Sequence, residues 1–269
     1  MHDAHFAIES NRSDMAARLG KLLGDLRAPA VAPDATPVVY TVDWHGPPWS
    51  SHPWGVWRNG EPRATTLVPS AVVEYLLWEI TRLLLEHASP DIPAYAGAVA
   101  RNGKALMLAG RRRTGKSTLT AWLTTRGWGF LTDEVAILGL SGERAVVLPF
   151  WRPVGVRRGG PLEHVVADSD IDDPALVPAS TLGALASATP LAAVVLPMYS
   201  PGHSHDLAPL TPAETLVGLT EHLPLLRQQG RQSFAAMVRV ADTVPGYSLA
   251  VDDLHKAEQQ LSDLMGSLP

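Results

Sequence analysis

The chain has 269 residues, 46% hydrophobic and 18% charged, with a net charge of −5 and no cysteine. That is enough chain to bury a substantial core in one or two domains, and too hydrophobic for global disorder. The lack of cysteine removes disulfides, thiolate metal sites, iron–sulfur clusters and cysteine nucleophiles, and it fits a reducing, cytoplasmic setting.

The N-terminus MHDAHFAIES carries acids and no apolar core, so it does not read as a signal peptide. Residues 13 to 27 put Met15, Leu19, Leu22, Leu23 and Leu26 at helical spacing, with Ser13 as the N-cap. Residues 28 to 36 read as an Ala/Pro loop and Val38 to Val42 as a strand. Trp54 to Arg58 and Glu61 to Leu67 flank Asn59-Gly60, a hairpin signal because both turn positions need positive φ. A helix is predicted over 70 to 87, after Pro69-Ser70 and before Pro90. It is apolar nearly all round, so burial between layers is expected. Its apolar part, Ala71 to Leu85, is interrupted by Glu74, Glu79, Thr81 and Arg82, so it is too short and too polar to span a bilayer. Residues 1 to 88 therefore read as a small α+β lobe.

Residues 89 to 269 open with a second hairpin, Ala94 to Arg101 and Lys104 to Ala109 around Asn102-Gly103. A Gly-rich loop follows, then a helix near Lys116 to Arg126 with Gly127 as its stop. Phe130-Leu131 is a short strand ending at Thr132-Asp133-Glu134. Val135 to Leu140 and Ala145 to Leu148 are strands around Ser141-Gly142. Residues 159 to 190 read as loop, and Leu191 to Leu196 as a strand ended by Pro197. Thr211-Pro212-Ala213-Glu214 is a capping box with Pro at the first helical position, opening a helix that Pro224 breaks. Helices at 231 to 243 and from Asp252 to the C-terminus complete the chain.

Gly110-Arg111-Arg112-Arg113-Thr114-Gly115-Lys116-Ser117 fits G-x-x-x-x-G-K-[ST], with the strand KALMLA before it and a helix after it. A triphosphate needs many converging N–H donors. Glycines let the backbone wrap it, and a helix N-terminus adds unpaired N–H groups and positive dipole. Gly110, Arg113, Thr114, Gly115, Lys116, Ser117 and Thr118 are the nucleotide-binding candidates: Lys116 reaches the β- and γ-phosphates and Ser117 ligates Mg²⁺. Arg111 reads as a solvated loop tip, whereas Arg113 stays open between that and a phosphate contact. Asp133, 16 residues after Ser117, would hold Mg²⁺ or accept the proton of a hydroxyl nucleophile.

The stretch AYAGAVARNGKALMLAGRRRTGKSTLTAWLTTRGWGFLTDEVAIL resembles the catalytic core of the HPr kinase/phosphorylase family, and more closely the HPr-kinase-like proteins of peptide-modification gene clusters, lasso peptide kinases among them. VLPFWRPVGVRRG resembles that group's Pro-Arg-Pro segment and LAAVVLPMYSPG its late strand and loop. APLTPAETLVGL and PGYSLAVDDLHKAEQQL resemble its C-terminal helices. The likeness covers about residues 92 to 265. It implies an α/β fold: an HPr-kinase-like P-loop core with a mixed sheet and flanking helices, here preceded by the small α+β lobe. It also implies ATP- and Mg²⁺-dependent phosphoryl transfer to a serine, with the acidic pair sharing the roles of base and Mg²⁺ neighbour.

That pair is commonly Asp-Asp in the family and is Asp133-Glu134 here, so the division of roles is open. Tyr95 stands where the family often has His, which leaves reverse phosphorolysis open too. Arg152, Arg157 and Arg158 fall where the family contacts substrate or phosphate. A planar fork donor suits a carboxylate or phosphate clamp, and Arg152 and Arg157 are preferred.

Asp168, Asp170, Asp172 and Asp173 lack the Gly and Glu of a calcium loop and read as solvated. His203-Ser204-His205-Asp206 reads as a polar surface loop, with metal binding the minority reading. Trp44, Trp49, Trp54 and Trp57 read as core and cross-strand packing, with peptide docking by residues 1 to 88 as the other reading. The expected acceptor is a peptide or small protein, with a ribosomally made precursor among the candidates. No nucleic acid or membrane partner is expected, and an oligomer is left open. Alternatives are a non-catalytic or regulatory ATP-binding module and a small-molecule kinase.

Overall fold

The computed structural model describes residues 4–27, 36–46, 53–66, 68–88, 91–141, 144–166, 172–202, 206–220 and 226–269. Most of the 28 to 36 loop, Pro47, Pro48, Trp49, Leu67, Pro90, Gly142, Asp168, Asp170, His203, Ser204, His205 and Pro224 lie outside these residues. The chain separates into two compact units, Met1–Ala88 and Ser89–Pro269.

The first unit contains β1 (Phe6–Glu9), α1 (Ser13–Leu22), β2 (Val38–Trp44), β3 (Trp54–Arg58), β4 (Glu61–Thr66) and α2 (Pro69–Glu86). Among the described residues its sheet has the order β1-β2-β3-β4, with β1 parallel to β2 and the other pairs antiparallel. Asn59 and Gly60 take φ of 51° and 80°, the left-handed pair that a tight hairpin needs. Ser13 is not the cap of α1: extended Arg12 holds that place, and its guanidinium binds Asp14 at 2.8 Å. The helix buries Met15, Leu19 and Leu22 and gives way to a 3₁₀ turn at Gly24–Leu26.

Helix α2 packs on β3 and β4. Its burial is not all round, because apolar Trp78 is 54% exposed. Within it, buried Glu79 accepts from Arg82 Nη2 at 3.0 Å and from the Tyr75 hydroxyl at 3.2 Å. Trp44, Trp54 and Trp57 follow the packing reading. Trp44 and Trp54 face each other across β2 and β3 with ring centroids 5.3 Å apart, and the Trp57 ring lies over Gly55.

The second unit carries β5 (Ile92–Ala94), β6 (Ala96–Arg101), β7 (Lys104–Ala109), α3 (Lys116–Thr125), β8 (Gly129–Thr132), β9 (Ala136–Ser141), β10 (Arg144–Leu148), β11 (Val154–Val156), β12 (Ala175–Val177), α4 (Ala179–Leu182), β13 (Thr189–Tyr199), β14 (Ala208–Leu210), α5 (Pro212–Thr220), α6 (Leu226–Thr243), β15 (Gly246–Val251) and α7 (Leu254–Ser267). The main sheet is mixed. Its path is β5-β9-β10-β13-β7-β6-β8, with β15 beside β13 and β14 beside β15. β7, β13 and β15 run parallel, and the hairpins β6–β7 and β9–β10 are antiparallel.

Alternation along β7 divides the core. Leu106 and Leu108 pack with Leu119 and Leu123 of α3 and Leu261 of α7, while Ala105 and Met107 pack with Met237 and Val240 of α6. The capping box of α5 forms as expected: the Thr211 N–H donates to Glu214 Oε2 at 2.8 Å, and the Glu214 N–H donates to Thr211 Oγ1 at 3.3 Å.

Four expectations for the second unit need correction. Pro197 does not end β13, which continues to Tyr199. The Val194 N–H points at Pro245 O and the Tyr199 N–H at Thr114 O, so by alternation the missing N–H of Pro197 lies on the β7 side, where the pairing with β7 stops at Val195. Residues 159 to 190 are not all loop: β12 pairs with β11, and α4 follows it, both too short to leave a periodic signal. Residues 208 to 210 and 246 to 251 are strands rather than parts of helices. The last helix starts at Leu254, because the Asp253 carboxylate caps it by accepting from the N–H groups of His255 and Lys256.

Candidate functional site

β7 delivers the chain into a loop whose backbone turns left-handed three times, at Gly110 (φ 122°), Arg113 (φ 67°) and Gly115 (φ 92°). Glycine makes two of these free of strain, whereas Arg113 adopts its conformation at roughly 1–2 kcal/mol. The loop is braced from within by Thr114 Oγ1 donating to Arg111 O at 3.0 Å. From β13 the Tyr199 N–H donates to Thr114 O at 3.0 Å. Gly115 is the N-cap of α3, so the first-turn N–H groups of that helix open beside the loop. Gly127 closes the other end at φ 87°, with its N–H on Thr124 O and that of Trp128 on Leu123 O. Arg113, Gly115, Lys116, Ser117 and Thr118 line a cavity of about 970 Å³, while Gly110 and Thr114 shape the loop without lining it.

Lys116 is 6% exposed. Its ammonium donates to the carbonyls of Gly110, at 2.8 Å, and Arg111, and lies 4.7 Å from the Tyr95 ring centroid. Burial pushes its pKa down to about 8, against the opposing pull of Asp133. The Arg112 guanidinium sits over the same Tyr95 ring at 5.6 Å.

Asp133, at the end of β8, is 7% exposed. Its carboxylate interacts with the Ser117 hydroxyl, and its Oδ1 is buried without a hydrogen-bond partner. Burial raises its pKa, with Arg152 and the Ser117 hydrogen bond opposing. Thr120 Oγ1 is likewise buried and unpartnered. Both atoms face Gly97 of β6, where an added Cβ would stand 2.2 Å from Thr120 Oγ1 and 3.5 Å from Asp133 Oδ1.

Glu134 occupies a different position. The Val135 N–H donates to Asp133 O at 3.0 Å across it, and its φ of 73° makes this a γ-turn of the strained hand. Its carboxylate pairs with Arg152 Nη1 and reaches the cavity wall. Arg157, at the end of β11, lines the cavity too, whereas Arg152 is engaged with Glu134 and does not.

Sequence reasoning missed Trp122, Tyr199 and residues 251 to 255 as parts of the same wall. Trp122 had one usable signal: it follows Thr118 by one helical turn, on the same face. Among the described residues, no group of three or more His, Asp or Glu is placed to hold a metal ion, and no helix is long and apolar enough to cross a membrane. What the site offers is a cluster of N–H groups, a buried ammonium and a facing carboxylate, an arrangement suited to a phosphate ester that carries its own cation.

No protein-family description matches the chain, and no curated protein matches it. Among solved structures it is similar to the Hpr(Ser) kinase/phosphatase from Coxiella burnetii. The likeness has 13% sequence identity and a TM-score of 0.39, over 64% of this chain and 95% of that one. So remote a likeness says nothing of what this chain does. The fold and site define an α/β protein whose strand–loop–helix turn opens at a cavity, with the buried carboxylate of Asp133 behind the lining and against Ser117.

Proposed function

We propose that the chain is an ATP-dependent kinase that moves the γ-phosphoryl group to a serine hydroxyl of a peptide or small protein, in the cytoplasm. A ribosomally synthesised precursor peptide is the acceptor class that the sequence resemblance favours. One observation carries the reading: a loop with the G-x-x-x-x-G-K-S sequence opens α3 at a cavity, with Asp133 buried against Ser117.

Lys116 would leave the carbonyls of Gly110 and Arg111 for the β- and γ-phosphates, while the loop and first-turn N–H groups cradle them. Ser117 and Asp133 suit magnesium: both offer hard oxygen donors, and Asp133 Oδ1 has no other partner. When bound, the ion supplies charge neutralisation on the β- and γ-phosphates. Asp133 orients the serine hydroxyl. As the Oγ–P bond forms and the bond to the β-phosphate oxygen breaks, the proton passes to the carboxylate and ADP leaves. Arg157, on the cavity wall, is placed to meet an anionic group of the acceptor.

The test is ATP turnover with and without a serine peptide. The reading expects ADP and phosphoserine in equal amounts. ATP binding without transfer would make the chain a regulatory module, and transfer only to small alcohols would make it a small-molecule kinase.

A further inference from the structure

Strand order determines which way a nucleotide would lie on the loop. β8, which ends at Asp133, is on one side of β7, and β13 and β15 are on the other. The phosphate to be transferred belongs near Asp133, so the nucleoside end points toward the ends of β13 and β15. Tyr199, at the end of β13, and residues 252 to 255, just after β15, wall that side of the cavity. At about 970 Å³ the cavity lies in the size range of sites that enclose a whole small-molecule ligand, which leaves room for more than phosphates.

Tyr199 is the unusual residue of this wall. It exposes 60% of its surface, yet its backbone is held on both edges. Its N–H donates to Thr114 O, and the next N–H, of Ser200, donates to Val251 O, both at 3.0 Å. A Cβ on Gly115 would stand 3.5 Å from the Tyr199 Cβ, so the ring begins beside the loop. An aromatic face left open on a fixed strand at a cavity edge is suited to stacking on a flat heteroaromatic ring.

We infer that Tyr199 is the platform on which the base of the bound nucleotide stacks. The inference rests on the reading that residues 110 to 117 hold the phosphates. Stacking uses the π-face and not base edges, so this platform tolerates different bases.

The test compares Mg·ATP with Mg·tripolyphosphate, which has the phosphates and no base, in calorimetric titrations of the full chain. The wild type is expected to bind Mg·ATP at least about tenfold more tightly. Tyr199→Ala should remove most of that advantage and leave tripolyphosphate affinity within about twofold, and Tyr199→Phe should keep it. Equal losses for both ligands in Tyr199→Ala would mean that the side chain supports the loop, and an unchanged ATP advantage would place the base elsewhere. Either result overturns the inference while the phosphate site stands. Failure of the folded wild type to bind either ligand overturns the phosphate site, and the platform with it.

Discussion

Arg152 Nη1 is hydrogen-bonded to Glu134 Oε2, which ties the carboxylate after Asp133 to the segment leading into β11. Sequence reasoning gave these residues separate jobs, Glu134 in catalysis and Arg152 on the acceptor. The structure makes them one unit that holds the strained turn beside Asp133. Glu134→Gln and Arg152→Ala should therefore each slow turnover, and the double variant should be little worse than either. A double-mutant cycle on kcat should show a coupling of about 1 kcal/mol or more. Effects that add to within about 0.5 kcal/mol would show that the two act separately.

The buried ammonium of Lys116 gives nucleotide binding a pH limit. With its pKa pushed down to about 8, the group is charged below that pH whether or not ligand is bound, so it contributes no pH dependence there. Above it the free protein loses the proton, and bound phosphates draw it back. Mg·ATP affinity should then fall as pH rises past about 8, by up to tenfold per pH unit, with proton uptake on binding. Calorimetry in buffers of different ionisation enthalpy reads that uptake. Flat affinity and no uptake from pH 7 to 9.5 would remove Lys116 from the phosphates.

Gly97 lies behind the site, beside Thr120 and Asp133. A methyl there would stand 2.2 Å from Thr120 Oγ1, so Thr120 must move, and Asp133 lies next in line. Gly97→Ala is expected to cost about 1–3 kcal/mol of stability and to slow turnover. Adding Thr120→Ala, which removes the colliding hydroxyl, should restore part of the melting temperature. Gly97→Ala with unchanged melting and unchanged kcat would contradict the support that this contact implies.

The two hairpins and the loop-to-helix turn were legible because their signals are local. Asn59-Gly60 and Asn102-Gly103 need left-handed backbone, and Gly115-Lys116-Ser117 opens a helix. β11, β12 and β14 were not, since three residues contain too little alternation to register. Pro197 misled because a proline ends a strand only where its missing N–H would have been used, and that depends on where the neighbouring strand stops. Candidate residues near the loop in sequence could be read directly. Tyr199 and residues 252 to 255 reach the cavity only because β13 and β15 run parallel to β7, a pairing that no local pattern announces.

The most direct test is phosphate transfer from γ-labelled ATP to a serine peptide, measured as phosphoserine, for the wild type, Lys116→Ala and Asp133→Asn. Wild type should yield phosphoserine. Lys116→Ala should lose Mg·ATP binding, and Asp133→Asn should keep binding while its rate falls by about 10²-fold or more. Transfer by Lys116→Ala and Asp133→Asn at near wild-type rates would contradict the account.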